Sequence, residues 1–321
     1  MGYGISAAFA RPGTERSQQM LLQVPQLARL PWLVHGFSTR RGGVSRLPNS
    51  RSGSAPGKDL NLTKSKGDSA RNVAENRRRL MVRLRAKKMQ LVTQRQVHSD
   101  LIHVLNSSLP SDFPSAGDGL VTDRAGLLLS VTVADCLPIL LVDTKQRVVA
   151  ALHCGWRGTV RRIAQKGVGL LKQTYGSRDR DLRAAIGPGI RVCCYRVGEE
   201  VRDEFEGQFS YASRLFARCE EPSPLQTRYP LLFHYNTESH AAFDNLLYLD
   251  LVQSNILQLL EAGVAATRIY ADAPCTSCHP EMFFSHRRDA GQTDRPTGRM
   301  MGVVGIRDMP ARKAPSLRDQ G

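Results

Sequence analysis

Apolar residues along this chain follow two patterns. Short, nearly unbroken runs rich in Leu, Val and Ile occupy 126–132, 139–142 and 148–153, with shorter ones at 182–186 and 269–271. Runs of this length, bounded by turn residues, predict buried strands. Elsewhere apolar residues recur every three or four positions, which predicts helices over 68–88, 159–175, 198–205 and 249–262. Strands and helices intermingle without a linker separating two cores, so one domain of the α/β or α+β class is expected.

Some stretches break the pattern. Residues 46–58 are rich in Ser, Pro and Gly, and 220–240 mix Pro with polar and aromatic residues without a period, so both read as excursions. The expected boundaries are a flexible N-terminal tail over 1–30, the domain over 31–307, and a flexible C-terminal tail over 308–321. The longest apolar runs are broken by Asp135 and Lys145, and none approaches the roughly 20 residues of a membrane span, so no membrane partner is expected.

With 321 residues, 41% of them hydrophobic, the chain can bury a large core, which excludes a disordered or fibrous protein. The net charge of +16 raises the question of nucleic acid, but the excess is local: residues 1–100 hold 19 basic against 5 acidic side chains. Its densest part, 71–88, places Val73, Leu80, Met81 and Leu84 at helical spacing and reads as an amphipathic helix with a solvated basic face. No aromatic residues interleave with it, so nucleic acid is not the expected partner. Seven scattered cysteines make a poor disulfide framework and point to a reducing, cytoplasmic setting. The first 30 residues, Arg-bearing and poor in acids, keep organelle targeting as an alternative.

Candidate chemistry lies beside the strands. His98 follows the apolar pair Leu91-Val92, Cys136 follows a buried run, and His153 ends another just before a helix, positions where a rigid scaffold presents reactive groups. Two imidazoles and a thiolate suit zinc, and three protein ligands leave a fourth position open, as catalytic sites do. The spacing alone leaves satisfied core histidines and a buried cysteine as the alternative. Cys275 and Cys278 lack a second Cys-x-x-Cys, and they are expected to serve packing, as are Cys193 and Cys194. The segment 35–45 (HGFSTRRGGVS) combines hydroxyls, two guanidiniums and a Gly pair. It fits either an oxyanion-holding loop or a tight turn with solvent-facing arginines.

Taken in order, these segments resemble the YfiH/YlmD-type family of laccase-domain proteins, regarded as zinc-dependent purine nucleoside phosphorylases. The resemblance is carried by HGFSTRRGGVS (35–45), LNL (60–62), QVH (96–98), DGLVTD (118–123), ADCLPILLVD (134–143), ALHCGWRGT (151–159), AIGPGIRVCCYRVGEEV (185–201) and the FFSHRRD and TGR stretches near the end. It implies a layered α/β/β/α sandwich similar to the catalytic domain of cytotoxic necrotizing factor toxins. It implies zinc, or less favourably copper, held by His98, Cys136 and His153 as catalytic ligands, with Ser38, Arg40 and Arg157 assigned to phosphate and nucleoside binding. The implied reaction is phosphorolysis of adenosine, inosine, guanosine or methylthioadenosine to free base and ribose 1-phosphate, with adenosine deamination as a side activity. The oligomeric state is expected to be monomer or homodimer. Gly189 stands where many relatives carry Cys. The alternative readings are a peptidoglycan-precursor editing hydrolase, a copper-dependent phenol oxidase and a basic nucleic-acid-binding module.

Overall fold

A computed structural model of the protein describes residues 19–47, 59–65, 67–106, 115–222, 243–290 and 297–308. In chain order the strands are β1 (Leu21–Leu22), β2 (Leu33–Ser38), β3 (Arg41–Ser45), β4 (Gln90–Val92), β5 (Ile102–Val104), β6 (Gly119–Thr122), β7 (Leu127–Val133) and β8 (Leu137–Asp143). They continue with β9 (Val148–Cys154), β10 (Leu182–Ile186), β11 (Arg196–Val197), β12 (Phe216–Pro222), β13 (Phe243–Leu249), β14 (Ile269–Tyr270) and β15 (Met300–Ile306). The helices are α1 (Pro25–Ala28), α2 (Ala70–Arg83), α3 (Trp156–Val160), α4 (Ile163–Tyr175), α5 (Glu199–Glu206), α6 (Leu251–Glu261) and α7 (His286–Ala290).

The buried runs form strands because alternate side chains enter two different cores. In β8, Leu140 and Val142 point one way while Leu137, Ile139 and Leu141 point the other; in β9, Val149 and Ala151 oppose Val148, Ala150 and Leu152. A five-stranded sheet in the order β1-β2-β15-β7-β4 thus faces a six-stranded sheet in the order β14-β10-β8-β9-β6-β5. Leu129, Val131 and Val304 of the first meet Leu120, Leu140 and Val149 of the second in the space between them.

Helices cover the outer faces. α4 and α6 lay Ile163, Ala164, Val168, Leu171, Ile256 and Leu259 on the six-stranded sheet. α2 lays Leu80, with Leu84 at its C-cap, on Val34, Leu128 and Val303 of the other. The architecture is the expected α/β sandwich, with β11, β13 and β12 forming a small third sheet at its side. The basic segment is an amphipathic helix, capped by the Ser69 side chain and burying Val73 and Leu80. Glu75 on its solvent side pairs with Arg78 and Arg79.

Three local differences from the sequence expectation are informative. The helix expected over 159–175 is two helices, because Arg162 takes a left-handed conformation (φ 65°), with its guanidinium 4.4 Å over the Phe209 ring. Residues 21–28, inside the expected tail, form β1, which pairs with β2, and α1, and bury Leu21, Leu22, Val24 and Leu27. The segment 35–45 forms the end of β2 and all of β3. The loops expected over 46–58 and 220–240 and the C-terminal tail over 308–321 lie mostly outside the described residues; the part of the second that is described, up to Pro222, ends β12.

Candidate metal and active site

Two chain turns and the end of a strand meet at one end of the sandwich. His98 sits in the turn before β5, Cys136 in the turn joining β7 to β8, and His153 near the end of β9. Their ligand atoms lie within 4.8 Å of one another, and the two imidazole rings stand 5.0 Å apart, edge to face. β8 and β9 are paired neighbours, with Leu137 opposite Cys154 and Pro138 opposite His153, which is how Cys136 and His153 come together.

Asp118, fully buried at the start of β6, organises both histidines. Its carboxylate accepts from His153 Nδ1 at 2.8 Å and from the backbone N–H groups of Val97, His98 and Ser99 at 3.2, 3.1 and 2.6 Å, besides the Ser99 hydroxyl. Its carbonyl also accepts from the His153 N–H. A carboxylate on one ring nitrogen fixes the tautomer and leaves Nε2 as the ligand, the usual outer arrangement of metal-bound histidine. His98 pays for this cradle with a left-handed backbone (φ 57°), a conformation costly outside glycine.

Asp135 does the same for the cysteine. It too is left-handed (φ 88°), and its buried carboxylate accepts from Thr276 Oγ1 (2.6 Å), Ser285 Oγ (3.0 Å) and the Arg287 N–H (2.6 Å). The turn that carries Cys136 is therefore tied to the segment 276–287. Gly155 closes the site from the other side: a Cβ there would lie 2.9 Å from Cys136 Sγ and 3.2 Å from His98 Cδ2. Gly155→Ala should therefore push a ligand aside and weaken metal binding by about 10–100-fold, the range seen when a ligand's orientation is disturbed. A competition titration with a chromogenic chelator measures it.

The electrostatics favour a ligand pair. Burial opposes ionisation of Cys136, but the His153 charge and hydrogen bonds from His153 and His98 bring its thiol down to about 6. Burial works against the His153 cation as well, yet the Cys136 thiolate and Asp118 raise it to about 9. Asp118, against its own desolvation, is held at about 2 by His153 and Ser99. The metal-free pair is thus thiolate with imidazolium between about pH 6 and 9. Above the unfolded imidazole value of 6.5, and below the unfolded thiol value of 9.0, folded and unfolded chains hold equal numbers of protons on this pair, so its opposed shifts leave stability flat with pH there. The expected signature is spectroscopic: in metal-stripped protein, a thiolate absorbance band absent from Cys136→Ala should disappear as pH falls through about 6.

Beside the triad lies a cleft of about 640 Å³ lined by Trp156, Arg157, Tyr195 and Arg287, among others. Arg157 stacks over Trp156 at 4.3 Å and Arg287 over Tyr195 at 5.4 Å. Burial and the neighbouring Cys136 push the Tyr195 phenol well above its ordinary value, keeping it neutral. Burial brings the Arg299 guanidinium below its ordinary value, against the opposing charges of Cys136 and Asp135.

Of the other residues expected at the site, Ser38 is buried and its hydroxyl accepts from the Met301 N–H at 2.9 Å. Arg40 is buried, pairs with Asp59 at 3.0 Å, donates to the Pro280 carbonyl and stacks on Phe284. Arg41 donates to the Glu281 carbonyl. The close backbone approach at Gly43 serves Asp59, whose carbonyl leaves no room for a Cβ. Sequence reasoning gave no role to Asp118, Asp135, Tyr195, Arg287 or Arg299, although all lie in or beside matching stretches.

A layered α/β scaffold presenting a His-Cys-His cluster beside an arginine-lined cleft defines a candidate metal-dependent enzyme. Residues 34–307 match the family model described as multi-copper polyphenol oxidoreductase laccase, and the chain belongs to that family. It is 37% identical to a purine nucleoside phosphorylase, YlmD, of Geobacillus stearothermophilus, over 86% of this chain and 90% of the relative. It is 34% identical to an adenosine deaminase of an unknown prokaryotic organism, over 79% of this chain and 88% of that one. The crystal structure of YlmD from Geobacillus stearothermophilus superposes with a TM-score of 0.71 at 32% identity, covering 94% of this chain and all of that one. Among the described residues, no helix is long and apolar enough to cross a membrane.

Proposed function

We propose that the protein is a purine nucleoside phosphorylase acting at a zinc site formed by His98, Cys136 and His153. The observation that carries this is the convergence of three ligands, with Asp118 orienting His153, beside a cleft that pairs arginines with aromatic rings. The donor set fits zinc, since one thiolate and two neutral imidazoles are among its preferred ligands and leave a position open. Copper accepts the same donors. Among the described residues, however, the groups able to hold a metal are this triad and a set of four cysteines, without the further histidines a multicopper oxidase uses. When bound, the metal supplies Lewis-acid polarisation of a substrate atom.

The chain's own residues account for binding and orientation. Trp156 and Tyr195 offer faces for a purine, and Arg157 and Arg287, both exposed in the cleft, offer guanidinium forks to phosphate. Holding phosphate beside the anomeric carbon lets a phosphate oxygen form the new bond as the bond to the base breaks, and positioning of this kind supplies much of a rate. Ser38 and Arg40 act from behind, bracing the wall, because Asp59 already matches the Arg40 charge. Arg157→Ala should raise KM for phosphate about tenfold, the equivalent of one charge-assisted hydrogen bond of about 1.5 kcal/mol. Initial rates against phosphate concentration measure it.

Adenosine deamination is the second reading, favoured by the deaminase relative. Chromatography of the products from adenosine, with and without phosphate, separates the two. Adenine formed only with phosphate supports phosphorolysis, and inosine formed without it assigns the site to deamination. No product from adenosine, inosine, guanosine or methylthioadenosine overturns both.

A further inference from the structure

A second group of metal-competent side chains stands apart from the triad. Cys193 and Cys194, in the turn between β10 and β11, meet Cys275 and Cys278, in the turn after β14, so that all four sulfurs lie within 4.8 Å of one another. Cys278 Sγ is 3.5 Å from Cys193 Sγ and 3.3 Å from Cys194 Sγ. Cysteines separated by 85 residues are here neighbours, which is why the lone Cys-x-x-Cys motif looked incomplete in the sequence: its second half is the adjacent pair Cys193-Cys194. Four sulfurs about 2.3 Å from one zinc ion, at tetrahedral corners, would stand about 3.8 Å from each other. Two of the separations, 3.5 and 3.3 Å, fall a few tenths of an ångström short of that value, and none exceeds 4.8 Å.

We propose that Cys193, Cys194, Cys275 and Cys278 form a tetrathiolate site for a structural zinc ion, independent of the His-Cys-His triad. The local backbone is arranged for it. Burial opposes ionisation of Cys275, but the N–H groups of Cys278, Arg191 and Ser277 aim at its sulfur and hold it below the ordinary thiol range. N–H groups from two and three residues ahead, turned onto the first cysteine of a Cys-x-x-Cys turn, stabilise a thiolate there. Burial, with the neighbouring sulfurs, pushes the Cys193 and Cys278 thiols up, so ionising them takes a cation beside them, and binding the ion releases their protons to solvent.

The position gives the ion a purpose. The two turns are already stitched by the Thr276 N–H donating to the Gly189 carbonyl, and each grips Asp135: Ile190 through its N–H to the Asp135 carbonyl, Thr276 through its hydroxyl to the carboxylate. A zinc ion here fastens together the two segments that hold the Cys136 turn.

The test uses the full chain carrying Cys136→Ala, which removes one ligand of the triad. Expressed without added chelator and gel-filtered, it should retain one zinc per chain by mass spectrometry of the metal. Replacement by cobalt should give the intense visible and near-ultraviolet bands of a tetrahedral thiolate complex. Adding Cys278→Ser or Cys193→Ser, both at exposed positions that a folded chain tolerates, should abolish the metal and the bands. Zinc unchanged in these double variants overturns the proposal, since the ion then sits elsewhere. So does metal-free Cys136→Ala protein, whether its four thiols react freely or peptide mapping finds a disulfide from Cys278 to Cys193 or Cys194.

Discussion

Cys136→Ala should abolish turnover and metal retention at the triad while leaving the fold intact. Cys136 is the only thiolate among the three ligands, and its side chain ends in the turn between β7 and β8 rather than in either core. Alanine removes the sulfur without disturbing the backbone that Asp135 holds through Thr276, Ser285 and Arg287. The charge stabilisation that a metal gives a reaction is worth several kcal/mol, so a loss of at least about a thousandfold in kcat is expected. Steady-state kinetics with a circular dichroism spectrum checks both halves. Full activity in a variant with no metal at the triad would sink the site assignment.

Asp118→Ala should be the most damaging single change near the site, and for a different reason. The carboxylate is fully buried and accepts from one imidazole, three backbone N–H groups and a hydroxyl, so its removal leaves several buried donors without an acceptor. Breaking a buried charged pair costs about 3–5 kcal/mol. The loss of His153's orienting partner should weaken metal affinity by about a further 10–100-fold. Denaturant unfolding of the metal-free protein isolates the first effect, and a metal titration measures the second. Asp118→Asn, which keeps one acceptor oxygen, should recover part of the stability but not the affinity, because its amide cannot accept from every donor around it. Equal stability for Asp118→Ala and the parent would refute the role given to this carboxylate.

Much of the scaffold was legible in the sequence because the signals that make it are local. The runs 139–142 and 148–153, read as buried strands, lie within β8 and β9, and α2, α5 and α6 appear close to the periodic segments that foretold them. What escaped is non-local or broken by glycine. β2 and β15 carry Gly36, Gly302 and Gly305 in their interiors, which interrupt the apolar run that marks a strand. At the site, His98, Cys136 and His153 were reachable through a family resemblance. The role of Asp118 was not, because its contacts span 19 to 35 residues and nothing in the run DGLVTD distinguishes a carboxylate that turns inward from one that ends a strand. Arg40 shows the same limit: a guanidinium near two glycines suggests an anion, and only the fold shows Asp59 lying against it.

The order of the five-stranded sheet constrains how the protein is born. β15, the last strand of the described chain, lies between β2 and β7, making antiparallel ladders to both. During synthesis β1 can pair with β2, but β2 has no neighbour on its inner side until residues 300–306 have left the ribosome, and the sheet's middle is completed last. Contacts of such long sequence separation are slow to form and expose unpaired edges meanwhile. The Cys136 turn joins β7 to β8, so the triad is not set in its final geometry until β7 has received β15. Metal loading is therefore expected to follow the docking of β15 on β7, and a chain stopped short of residue 300 would be a substrate for chaperones and proteases rather than a smaller enzyme.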